Sequence, residues 1–167
     1  MNKNIKTTHY TVYPQEFEQA GNSYLMSLVT VIAGLPLPIV NVLASFIFYL
    51  SNRKSGYFVR WHAIQSIIAQ AIVLPFNSIF FIWTFRIIIS QAILHNSHYD
   101  FDENFITFAS PFYWSYVAFI LLFNLFEFIA VLATAIKVRR GQNVRWYIIA
   151  NITDAICSKQ NHDPYRI

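Results

Sequence analysis

Three long stretches without charge constrain this chain more than any other feature. Residues 24–50 and 61–85 contain no Asp, Glu, Lys or Arg, and residues 113–136 contain only Glu127. About 20 apolar residues, rising about 1.5 Å each, cross a hydrocarbon core of about 30 Å, so each stretch is long enough to span with some tilt. A soluble helical bundle would need polar outer faces, and these stretches have none. The composition agrees: 56% hydrophobic, 18% aromatic and 12% charged, with a mean hydropathy of +0.40. The expectation is an all-α integral membrane protein with three transmembrane helices at about 24–50, 61–85 and 113–136. These sit in a single membrane domain, residues 24–157, between a polar N-terminal segment (1–23) and a polar tail (158–167).

The first span carries an ambiguity. Gly34-Leu35-Pro36-Leu37-Pro38 lies at its middle, and two prolines remove backbone donors and disfavour continuous helix. The chain either kinks there and crosses or turns back as a re-entrant hairpin. Residues 1–23 hold Lys3, Lys6, Glu16 and Glu18 and no apolar core of signal-peptide length, so the first span is expected to stay as an anchor. The lone Cys157 can form no internal disulfide.

Lys and Arg in short loops orient a membrane protein. Residues 51–60 carry Arg53, Lys54 and Arg60, and residues 137–146 carry Lys137, Arg139, Arg140 and Arg145. Residues 95–112 carry Asp100, Asp102 and Glu103 instead. The first connector and the C-terminus are therefore expected in the cytoplasm of a bacterial cell whose inner membrane holds the protein. Three full spans would put the N-terminus outside. The net charge of +4 resides in these flanks, which speaks for lipid headgroups and against nucleic acid as a partner.

Polar groups inside the spans need partners. His62, Ser66, Gln70 and Asn77 share one helix face, and Asn124, Glu127 and Thr134 share another. Asn41, Gln70 and Glu127 each lie nine residues from a cytoplasmic span end, roughly 13 Å deep, which predicts a shared polar layer with Asn124 beside it. The layer either locks the helices together or lines a wet path in an oligomer. Pro75 is expected to kink the second span, and the apolar run after Arg86 to extend it beyond the surface. The segment 146–157, headed by Trp146 and Tyr147, is too short and polar to span and reads as an interfacial helix.

Chemistry-bearing patterns are sparse. His95, His98, Asp100, Asp102 and Glu103 match no standard zinc spacing and read as a solvated acidic loop. No phosphate loop, nucleophile elbow or acid–base pair is visible, so no catalytic residue, metal or cofactor is expected.

The block Phe58-Val59-Arg60-Trp61-His62-Ala63-Ile64-Gln65-Ser66, the following Pro75, and Arg140-Gly141 leading to Thr153-Asp154-Ala155 resemble the Tic-twenty-like family over roughly residues 24–157. That family is named for a subunit of the chloroplast inner-envelope import translocon and has small bacterial relatives. The resemblance implies a non-enzymatic accessory subunit of a protein-translocation complex, contacting other integral membrane proteins through Arg60, Trp61, His62, Gln65 and Ser66. In that reading Trp61 anchors at headgroup level. The alternative is a subunit of a homo-oligomeric channel or small-solute transporter.

Overall fold

A computed structural model describes residues 12–34, 38–95 and 109–159. The described residues form five helices: α1 (Pro14–Gly34), α2 (Pro38–Ser51), α3 (Tyr57–His95), α4 (Pro111–Arg139) and α5 (Tyr147–Lys159). No strand occurs among them.

Local chemistry sets the boundaries. At the start of α1 the Glu16 carboxylate accepts from the Tyr13 backbone N–H at 2.9 Å, half of a capping box, and Pro14 takes the first helical position, where no donor is needed. At the start of α4 the Ser110 hydroxyl accepts from Tyr113 N–H and Pro111 again opens the helix. The far end of α4 closes in a Schellman motif. Gly141 N–H reaches Val138 O at 2.9 Å and Gln142 N–H reaches Lys137 O at 3.0 Å. Gly141 adopts φ +83°, which a side chain would resist.

Among the described residues, only α3, over Tyr57–Ile93, and α4 are both long and apolar enough to cross a membrane. Just 11% and 33% of their most apolar windows are buried within the chain, so these are not core helices of a soluble fold. Leu122 and Phe126 on α4 and Ile79 and Ile82 on α3 stand more than half exposed. The two helices run antiparallel, since Gln70 meets Glu127, Asn77 meets Asn124 and Thr84 meets Tyr113. Pro75 lies inside α3 without ending it, and the Tyr116 hydroxyl donates to the neighbouring Phe76 carbonyl at 2.9 Å. The run after Arg86 continues α3 as helix to His95, as expected.

The expected span at 24–50 is not one helix. It is divided into the second half of α1 and all of α2, and residues 35–37 lie outside the described residues. Tyr24 hydrogen-bonds His62 in the second turn of α3. Tyr49, near the end of α2, packs on the cluster of Trp61, Ile64, Ala150 and Cys157. A continuous helix would hold Tyr24 and Tyr49 about 38 Å apart along its axis. Both instead adjoin the same turns of α3, and α2 packs on both α1 and α3. The segment therefore enters and leaves at one end of the bundle, as a helical hairpin. The expectation of three full spans is not confirmed, because the proline-rich break separates two helices that fold back on each other.

α1 is held against the last turns of α4 through Ala20, Tyr24, Leu28, Val131, Ala135 and Val138, which form the largest buried apolar cluster. Gly21 permits the approach: a Cβ there would stand 3.2 Å from the Ala135 carbonyl and 2.4 Å from Arg139 Cγ. The start of α1, the α2–α3 turn, the end of α4 and α5 thus share one end of the bundle. Helix α1 begins inside the stretch expected to be a polar leader to the domain. The acidic connector with His98, Asp100, Asp102 and Glu103, and most of the tail 158–167, lie outside the described residues.

Candidate functional site

The sequence motif at the start of α3 forms a polar clasp. Tyr24 is its hub: Gln65 Nε2 donates to the phenol oxygen at 2.9 Å, and that oxygen lies 2.9 Å from His62 Nδ1. Which of the Tyr24 hydroxyl and His62 Nδ1 donates is set by the imidazole tautomer, and His62 Nε2 is buried with no hydrogen-bond partner among the described residues. Gln65 Nε2 also donates to Val144 O at 3.2 Å, and the Ser66 hydroxyl to Ser23 O at 3.1 Å. One helix face thereby ties together α1, α3 and the stretch between α4 and α5.

The neighbouring face of α3 holds α5. Trp61 Nε1–H donates to Asp154 Oδ1 at 2.8 Å, Arg145 pairs with the other carboxylate oxygen, and its guanidinium lies over the Trp61 ring at 5.3 Å. Trp146 Nε1–H donates to Thr134 at 3.0 Å, fixing the return of the chain from α4. Burial pushes the Cys157 thiol up to about 11, with Arg60 working against the rise and Asp154 with it.

Trp61, His62, Gln65 and Ser66 are all at least 95% buried within the chain, and Arg60 is half-buried. Trp61, read from the sequence as a headgroup anchor, faces the interior of the chain. Its ring is enclosed by Ile64, Ala150 and Cys157, and its N–H is taken by Asp154.

Deeper along α3 and α4 lie two rungs. Gln70 Nε2 donates to Glu127 Oε1 at 2.5 Å, and Asn77 and Asn124 exchange reciprocal hydrogen bonds at 3.0 and 2.9 Å. Three members of the expected polar layer are therefore placed on adjacent rungs, with Asn77 as the partner of Asn124. The fourth, Asn41 on α2, is buried, yet its Oδ1 has no hydrogen-bond partner among the described residues, as is true of Ser45 Oγ one turn later.

Tyr24, Asp154 and Ser23 were not singled out as site residues by sequence reasoning. Tyr24 had a detectable signal, since a tyrosine flanked by Ala20, Gly21, Ser23 and Ser27 places a hydroxyl beside a small-residue seam. Asp154 had none, because its partner Trp61 lies 93 residues earlier.

Two apolar helices without polar outer faces, joined by inward-facing hydrogen-bonded rungs, define the class of small helical membrane-associated proteins. The chain belongs to the magnetosome magnetite crystal formation protein family, whose model matches residues 19–153. Searches of curated proteins and of solved structures return no match. The family match overturns the resemblance to the Tic-twenty-like family, whose one specific motif was a short block. That block is a helix-end clasp whose Arg, Trp, His and Gln serve contacts within this chain, so its composition alone does not specify a family.

Proposed function

We propose that the protein is a non-enzymatic integral membrane protein of the membrane in which magnetite crystals form, acting there by association with lipid and with other membrane proteins. The family match over residues 19–153 carries this reading. It is supported by the direction of the side chains: the polar residues of α3 and α4 pair with one another, while their apolar faces are left exposed. Closed rungs favour a locked helical scaffold over a subunit that lines a wet path, because a path needs those groups free to meet water.

In this reading α3 and α4 cross the bilayer, the α1–α2 hairpin enters without crossing, and α5 lies in the interface. Arg53, Lys54, Lys137, Arg139, Arg140 and Arg145 gather at the end shared by the start of α1 and α5, which the positive-inside tendency assigns to the cytoplasm. Both described chain ends then face the cytoplasm.

The test is fractionation of a magnetite-forming host expressing a tagged copy, with crystal size measured in a deletion strain. Co-fractionation with crystal-bearing membranes and an altered crystal population support the proposal. A soluble tagged protein, or a deletion strain with unaltered crystals, refutes it.

A further inference from the structure

The hairpin makes the molecule unequal at its two ends. From Tyr24, level with His62 and Gln65, α1 runs on to Gly34, about 15 Å further along the axis. That reaches α3 at about the level of Pro75, midway along residues 61–85. Glu127, bonded to Gln70, lies close to the same level on α4. Among the described residues, α1, α2, α3 and α4 are therefore packed side by side at the basic end. Beyond the tip of the hairpin, among the described residues, only α3 and α4 continue, joined by Thr84, Trp83 and Tyr113.

Helix α5 adds to the broader end. Its inner face, Ile149, Ala150, Thr153 and Cys157, is buried, while Ile148, Ile152 and Ile156 form an exposed apolar ridge at four-residue spacing. At 13 residues α5 cannot span, and it packs on α3, against the cluster that Tyr49 of α2 also joins; Ile47 and Leu50 of α2 are exposed as well. The ridge and the α2 face lie at the same end of the bundle, where α3 begins. Each helix occupies a cross-section about 10 Å wide. The described residues thus take up roughly twice the area in the leaflet at the basic end as in the other.

We propose that the protein is a membrane wedge that binds preferentially to, and stabilises, bilayers curved convexly toward its basic end. The occupant of the exposed α2 and α5 faces is the lipid of that expanded leaflet. Convex curvature spreads headgroups and opens acyl-chain area, which accommodates an extra hairpin and an interfacial ridge in one leaflet only. This rests on the integral-membrane reading above and adds a shape preference to it.

The test is reconstitution of the full chain into small and large unilamellar vesicles of one anionic lipid mixture. Only molecules with an externally accessible C-terminal tag are counted. The wedge predicts at least about a twofold higher protein density per lipid area in small vesicles. Equal density in both sizes overturns the wedge while leaving the integral-membrane reading intact, whereas failure to incorporate in either size overturns that reading itself. A second variant, Gly34→Leu with Pro36→Leu and Pro38→Leu, favours one continuous crossing helix. Loss of the size preference with incorporation retained supports the hairpin as its source; a preference kept while the N-terminus has moved to the other side refutes it.

Discussion

Replacing Tyr24 by Phe removes one oxygen from the hub of the clasp and leaves the ring in place. That oxygen takes part in two hydrogen bonds of 2.9 Å, to Gln65 and His62, and all three side chains are fully buried. The Gln65 amide keeps its second acceptor, Val144 O, so its loss is confined to one bond. His62 Nδ1 is left buried without its hydrogen-bond partner. A net bond is worth about 1 kcal/mol in soluble proteins and about 0.6 kcal/mol between membrane helices, and a stranded buried group adds about 1–3 kcal/mol. The expected destabilisation is about 2 kcal/mol. Equilibrium unfolding in mixed micelles with a rising denaturing-detergent fraction measures it. A cycle with His62→Phe isolates the pairwise part, expected at about 1 kcal/mol. A Tyr24→Phe loss below about 0.5 kcal/mol, or no coupling to His62, would refute the hub.

Further outcomes follow from other parts of the molecule. In a Cys157→Ser background, cysteines placed at Val12 and Asn143 should both react with an impermeant thiol reagent from the same side of sealed vesicles; reaction from opposite sides would eliminate the hairpin. Gly21→Leu should cost about 1–3 kcal/mol, because the side chain meets the Ala135 carbonyl and Arg139, and a neutral result would mean that α1 and α4 are not closely apposed. The Cys157 thiol, held near 11 by burial, should be alkylated slowly at pH 8 in the folded protein, with the rate rising as pH climbs toward that value. Because its folded value exceeds its ordinary one of 9.0, the thiol's stabilising share is intact below pH 9 and is lost as pH rises through about 11. Alkylation at the rate of a free thiol would contradict the burial. Glu127→Leu should release Gln70 and destabilise the α3–α4 pair by about 1–3 kcal/mol, whereas Glu127→Gln, which can still accept from Gln70, should cost less; equal losses would argue against the rung.

Charge-free length sufficed to locate α3 and α4, because burial in lipid excludes ionic groups along the whole run. The hairpin was only half legible. Pro36 and Pro38 marked a break, but a kinked crossing and a return have the same composition. What separates them is tertiary, since Tyr24 and the Tyr49 cluster adjoin the same turns of α3. The Gln70–Glu127 rung could be read from depth alone, because both residues were counted from membrane edges of known spacing. Asn41 satisfied the same count, yet its Oδ1 meets no partner among the described residues, because depth fixes a level and leaves azimuth open. The partner of Trp61 was hidden for a related reason. A tryptophan at the end of an apolar run has the same local pattern whether its N–H meets headgroups or a carboxylate 93 residues away.

The seat of α1 is built largely from residues that follow it by more than a hundred positions: Ala20 and Tyr24 share their cluster with Val131, Ala135 and Val138. Synthesis proceeds from the N-terminus, so the hairpin emerges before either the clasp on α3 or the closing face of α4 exists. Its buried Asn41 and Ser45 therefore have no enclosed place to go at that stage. The hairpin can meet α3 as soon as that helix is made, but the largest contact surface of α1, on α4, arrives only with the last third of the chain. The seat of the first helix is thus completed by nearly the last one.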